Sequence, residues 1–185
     1  TPKTSSAASD VYKRQIADAK RGDIGNTGLH YANAFFSHFN CDAITVSPYM
    51  GEESIEPFIS NPSKGAYVLC RTSNKSSTFI QEEIYSKVIS LCEALNNQQN
   101  IGLVVGATND DALMQVRNST DLPFLIPGIG AQGGDLQSVL KINENSMDTT
   151  LINVSRGIIF SGNKDHDSIR NSAKQYLNQL RGLNG

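Results

Sequence analysis

The chain has 185 residues, with 16 Lys and Arg against 18 Asp and Glu and a formal net charge of −2. That length suits one domain with a sizeable core, and a mildly acidic balance without a basic run argues against nucleic acid or an anionic membrane as partner. No apolar run approaches a membrane span, and Cys41, Cys70 and Cys92, odd in number and widely spaced, read as reduced thiols of a cytoplasmic protein.

Residues 1–15, "TPKTSSAASDVYKRQ", are rich in Ser, Thr and Ala and carry neither helical nor strand periodicity. They are expected to form a disordered tail or to be foreign to the natural gene, and 16–185 to form the domain. From residue 16 two kinds of segment alternate. Short runs rich in Val, Ile, Leu and Ala, at 16–20, 43–47, 66–70, 102–106, 123–126 and 150–154, read as fully buried parallel strands. Between them lie helical patterns. "NTGLHYANAFFSHF" (26–39) puts Leu29, Ala32, Phe35, Phe36 and Phe39 on one face, and a shorter segment follows near 52–59. Further helices are expected within 77–97, 110–119, 134–143 and 165–182, with Asp110 and Asp165 at helix starts. His30, His38 and His166 show no metal-ligand spacing, so no metal site is expected.

Strand-helix repetition implies a parallel sheet with covered faces. A doubly wound sheet and a closed (β/α)8 barrel both fit. Polar or glycine-rich groups follow nearly every strand: Asp18 and Lys20, "SPYMG", "RTSN", "GATND", "GIGAQGG" and "SRG". An open sheet gathers ligand groups at one crevice, whereas a barrel collects them from all its strands, so the distribution favours a TIM barrel. On this reading the six units are strands three to eight, and the first two βα units are missing.

The first strand ends in "DAKRGDIGNT", residues 18–27. Asp18 and Lys20, two apart on a strand, share a face, and Asp23 follows in the loop. Charges near a barrel mouth persist when paired, and a cation fixed between anions can deliver a proton to a carbanion. A chance ion pair at a surface strand end is the competing reading. "PGIGAQGGD" (127–135) and "NVSRGI" (153–158) follow the last two strands, the usual phosphate site of such barrels. There glycines let backbone N–H groups approach an anion, and Arg156 can bind it bidentately. "CRTSN" (70–74) offers groups suited to the edge of a polar base, or else a helix cap at Ser73 or Ser76.

"DAKRGDIGNT" resembles the Asp-x-Lys-x-x-Asp-Ile-x-x-Thr signature of the orotidine 5'-monophosphate decarboxylases. "VLCRTSN", "GLVVGAT", "FLIPGIGAQGGD" and "NVSRGII" are similar to later segments of that family's longer bacterial branch. The resemblance runs from about Ile16 to the C-terminal helix. It implies a TIM barrel that converts orotidine monophosphate to uridine monophosphate and carbon dioxide without cofactor or metal. It also implies roles. Lys20 protonates C6, with Asp18 and Asp23 in the surrounding charge array. Ser73 contacts the pyrimidine, Gln132 bridges base and phosphate, and Arg156 clamps the phosphate. Ile24, Pro127 and Ser155 belong to the same substrate-binding motifs. Asp23 and Thr27 match positions that reach into a partner's site, so a homodimer with shared active sites is implied.

The family's array has a further lysine on its second strand, and its ribose-contacting carboxylate lies on its first. Neither is expected to have a match here, because the resemblance starts later, and Lys3 and Lys13 fall in the unmatched tail and take no such role. The chain by itself is therefore expected to be poorly stable and nearly inactive. A non-catalytic phosphate-binding barrel fragment and a sugar-phosphate decarboxylase of the same suprafamily remain as alternatives.

Overall fold

The computed structural model describes residues 13–182, so the expected tail lies outside the described residues over 1–12. Six strands alternate with helices: β1 Ile16–Arg21, β2 Ala43–Val46, β3 Gly65–Arg71, β4 Ile101–Val105, β5 Phe124–Pro127 and β6 Thr150–Asn153. The helices are α1 Gly25–Asn33, α2 Glu56–Ile59, α3 Thr78–Leu95, α4 Asp110–Arg117, α5 Leu136–Ile142, α6 Arg156–Ile159 and α7 His166–Leu180. Strand order in the sheet follows chain order, and the registered pairs are parallel. All six strands stand within one residue of their expected ends, because short β-branched runs between helical patterns leave little else for the chain to form.

The described chain divides into two compact units. One holds the residues up to Val68 together with Leu95–Ile101, and the other holds Leu69–Ala94 together with everything from Gly102 on. In the first, β2 pairs β3 from Ala43↔Gly65 to Val46↔Val68. Ile44, Val46, Ile55, Phe58 and Val68 are fully buried, and Phe36 meets Phe58 edge-on at 6.5 Å. Asn100 closes the unit by donating from Nδ2 to the carbonyls of Ile59 and Lys64, both at 2.9 Å.

In the second unit β4 is buried throughout, and β5 pairs β6 from Phe124↔Thr150 to Pro127↔Asn153. Leu113 and Val116 of α4 and Val139 of α5 are fully buried. The Arg117 guanidinium lies over the Phe124 ring at 3.4 Å and donates from Nε to Asn143 Oδ1 at 3.0 Å. A half-buried guanidinium is held by such partners, which offset the desolvation of its charge. Cys70 and Cys92 are buried in this unit, and burial pushes both thiols up to about 12, which leaves them inert.

Three expectations are corrected. The strands are not all fully buried, because β1 and β6 are partly exposed. They end the strand order, and each has one strand neighbour among the described residues. The proposed apolar face over 26–39 does not hold either. Leu29 and Phe39 are 53 % and 58 % exposed. After Asn33 the helix widens into a π turn, Ala34–His38, closed by Phe39 N–H to Ala34 C=O at 2.9 Å, and that turn takes Phe39 off the 3.6-residue period. Finally, Asn109 caps α4 in place of Asp110, its side chain accepting from Ala112 N–H at 3.0 Å. Asp110 occupies the first turn, where its charge still complements the helix dipole.

Asn109→Ala should cost about 0.5–2 kcal/mol of stability in urea unfolding by removing that cap. Asp135 and Asp165 cap α5 and α7 through Ser138 N–H and Ser168 N–H. These hydrogen bonds hold both carboxyls below the ordinary value of 3.8. Their contribution is therefore present above about pH 4 and is lost as pH falls through the lower folded value. Thermal melts of an Asp135→Asn, Asp165→Asn double variant should lose less stability between pH 4 and pH 2 than the parent.

Candidate active site

Each unit carries one cluster of the expected site residues. In the first, β1 pairs regularly with β2 at Ile16 and Ala17, then bulges before resuming at Arg21. The bulge contains Asp18 and Lys20, and Lys20 sits at φ 48°, the left-handed region. For a non-glycine residue that conformation costs roughly 1–3 kcal/mol. A buried hydroxyl holds it in place. The Lys20 N–H donates to Thr45 Oγ1 at 2.9 Å, and the Thr45 O–H donates to Asp18 Oδ1 at 3.1 Å. Asp18 Oδ1 also receives Lys20 Nζ at 2.5 Å. Thr45 is 1 % exposed, so the pair hangs from the core although both charged side chains reach solvent.

The remaining first-unit residues go elsewhere. Asp23 does not pair with Lys20: its Oδ1 accepts from the Ile24 N–H at 2.9 Å. The expectation of two carboxylates flanking one ammonium is thus met by one carboxylate within the described chain. Ile24 is 52 % exposed and lies with Leu29, Glu53, Glu56 and Pro57 along a groove of about 580 Å³. Thr27 is exposed on α1. Gly22 of the motif and Gly28 just after it are steric requirements, since a Cβ on Gly22 would lie 2.6 Å from Ser47 O and one on Gly28 2.5 Å from Asp23 O; Gly25 has open space around it but φ 54°.

In the second unit Ser73, after β3, donates from Oγ to Gln132 Oε1 at 2.6 Å, across 59 residues of sequence. That bond occupies the Gln132 carbonyl and leaves its NH₂ group with no partner among the described residues. Thr108 Oγ1 donates to the Ser73 carbonyl at 3.0 Å. Gly106 admits the approach, since a Cβ there would lie 2.7 Å from Ser73 N. These residues line a polar cleft of about 280 Å³ with Asn74 and Asn109. Ser73 is therefore no helix cap. Arg71, at the cleft's base, is 6 % exposed and held by Glu82 at 2.6 Å.

The loop after β5 folds on itself. Pro127 C=O accepts from Ala107 N–H at 2.9 Å, Gly134 N–H donates to Gly128 C=O at 3.0 Å, and Gly133 N–H to Gly130 C=O at 2.8 Å. Gly128, Gly130 and Gly133 all have positive φ, between 71° and 105°. Side chains rarely adopt that region, which explains the glycine spacing. After β6, Ser155 opens the short α6 and its carbonyl accepts from Ile158 and Ile159 N–H. Arg156 is exposed and makes no ion pair among the described residues. An unpaired guanidinium beside glycine turns is chemically suited to an oxyanion.

Sequence reasoning missed Thr45, Gly106 and Thr108. Thr45 had a signal, being the one hydroxyl within the apolar run "AITV". Gly106 and Thr108 lay within the segment "GATND" that follows its strand, but no local pattern tied them to Ser73, because their role depends on Ser73 being brought beside them.

The family model described as orotidine 5'-phosphate decarboxylase / HUMPS family matches residues 2–168. The chain is 46 % identical over 174 residues to an orotidine 5'-phosphate decarboxylase of Dehalococcoides mccartyi, covering 86 % of this chain and 64 % of that protein. It is 45 % identical over 156 residues to the enzyme of the same name from Natronomonas pharaonis, covering 80 % and 57 %. It thus spans about three fifths of the length of these relatives. Among solved structures, the OMP decarboxylase of Leishmania donovani superposes with a TM-score of 0.79 at 38 % identity, covering 92 % of this chain and 68 % of that one. The UMP synthase of the same organism gives 0.84 at 41 %, covering 92 % and 39 %. With the signature residues, the parallel strand order and these matches in agreement, the chain belongs to the orotidine 5'-phosphate decarboxylase / HUMPS family.

Proposed function

We propose that this chain carries the machinery for decarboxylating orotidine 5'-monophosphate to uridine 5'-monophosphate in pyrimidine biosynthesis. The observation that supports it most is Lys20, held in a left-handed bulge by the buried Thr45 and paired with Asp18 at 2.5 Å. A surface ion pair needs neither the backbone strain nor the buried anchor. In the proposed step the bond between C6 and the carboxylate breaks, carbon dioxide departs, and the electron pair remains on C6. Lys20 Nζ–H then gives its proton to that carbon and is reprotonated by water. Asp18 orients the ammonium. A preorganised charge of this kind acts on the transition state more than on the bound substrate.

Ser73 and Gln132 favour a pyrimidine nucleotide over a bare sugar phosphate. Their mutual bond presents a hydroxyl and a free amide NH₂ suited to the edge of the base. Pro127 and Ser155 shape the two turns, and Arg156 binds the phosphate. Asp23, Ile24 and Thr27 serve a neighbouring subunit in a homodimer. The six strands correspond to six consecutive units of the family's TIM barrel, its third to eighth. Three buried, unpaired cysteines suit the reducing cytoplasm.

The test is turnover of orotidine monophosphate, read as uridine monophosphate formed, in a full-length form of the enzyme that also carries the further lysine and the ribose-contacting carboxylate. Lys20→Ala should lower it by at least about 10²–10⁴-fold, the usual worth of a positioned proton donor, without changing the melting curve. Activity within tenfold of the parent rejects the role. Mixing Asp23→Ala with Lys20→Ala protein should restore part of the activity, because mixed dimers regenerate intact shared sites. Verified subunit exchange without recovery rejects the sharing. Arg156→Ala should weaken uridine monophosphate binding by about 2–5 kcal/mol, measured by calorimetry.

A further inference from the structure

The glycine turn after β5 and the turn after β6 both meet α7 at one side chain. A Cβ on Gly130 would lie 2.9 Å from the Tyr176 hydroxyl, and a Cβ on Gly157 would lie 2.6 Å from the same oxygen. Tyr176 thus occupies the space that both glycines leave. One turn earlier on the same helix face, Ser172 is buried and donates from Oγ to the Gly157 carbonyl at 2.8 Å. Gly157 directly follows Arg156, and Gly130 lies two residues before Gln132. Tyr176 is half-buried, and its hydroxyl has no hydrogen-bond partner among the described residues.

We propose that Tyr176 is a positioning residue for phosphate recognition: its phenol, seated with Ser172 against Gly157, sets the spacing of the two glycine turns and so fixes where Arg156 reaches. This rests on the reading of the two turns as a phosphate site. The physical argument is steric. Gly128, Gly130 and Gly133 leave the first turn with little side chain of its own to lock it, and the second carries Gly157 immediately after Arg156. Gly130 has φ 71°, and α6 is only four residues long. A rigid, planar ring that turns about only a pair of side-chain bonds is a suitable wedge. An arginine carried on such a turn binds bidentately only when its backbone is held, because a displacement of about 1 Å forfeits most of the geometry.

The experiment compares binding of uridine 5'-monophosphate and of uridine, by calorimetry, in the full chain and five variants, Arg156→Ala among them. Tyr176→Ala should weaken uridine monophosphate at least tenfold and leave uridine within twofold. Tyr176→Phe, which keeps the ring, should stay within threefold of the parent for both. Gly157→Ala should weaken the nucleotide by forcing a methyl against the hydroxyl. Adding Tyr176→Phe to it should recover at least half of that loss, because the opposing oxygen is gone. Two results overturn the inference alone: unchanged nucleotide affinity in Tyr176→Ala while Arg156→Ala loses it, or no recovery in the Gly157→Ala, Tyr176→Phe pair. If Tyr176→Ala does not fold, the recovery experiment decides. A parent chain that binds uridine and its monophosphate equally overturns the phosphate reading, and the inference with it.

Discussion

Parallel hydrogen bonding between consecutive strands is the constraint on which the other features depend. A parallel pair cannot be joined by a tight turn, so each strand from β1 to β5 is followed by a crossover that contains helix. The C-terminal end of each strand therefore opens into a segment free to carry chemistry, while its body is committed to the core. β4, wholly buried, has no functional side chain along its length, yet Gly106 and Thr108 just beyond it shape the contact with Ser73. β5 likewise buries Phe124 and Ile126 completely and ends at Pro127, where the glycine turn begins.

β1 departs from this division. Its charged residues lie inside the strand, and the ladder gives way to accommodate them. The bulge, the positive φ of Lys20 and the Thr45 hydroxyl form one device. Thr45 satisfies the Lys20 N–H that the irregular ladder would leave unpaired, and then directs its own proton to Asp18. A buried N–H without a partner would cost about as much as the strain itself. A single threonine thus supports an exposed ion pair that would contribute little on its own.

The second unit handles its polar residues differently. Ser73, Thr108 and Gln132 form a chain of neutral hydrogen bonds across three crossovers, and glycine makes the close approach possible. Neutral groups at a half-open cleft can exchange their partners for a ligand's at small cost. Arg156 stands apart from that chain, without an ion pair among the described residues. Its placement depends on backbone turns, and those depend on what α7 packs against them.

The amino-acid order by itself determined the six strands, the long helices, the family and the identity of the charged and glycine-rich segments. Each of these is written in local periodicity or in a contiguous motif such as "DAKRGDIGNT". The tertiary structure decided what those segments do to one another. The π turn after Asn33 moved Phe39 away from its expected face, because helix phase yields to packing. Asp23 bonded to its own turn and left Lys20 to Asp18, a choice among equally near carboxylates that spacing does not settle. Thr45 and Tyr176 acquired their places only through contacts with residues 25 or more positions away for the one, and 19 to 46 for the other. No local pattern encodes such distances, and they are fixed only when the strands and helices of each unit pack together.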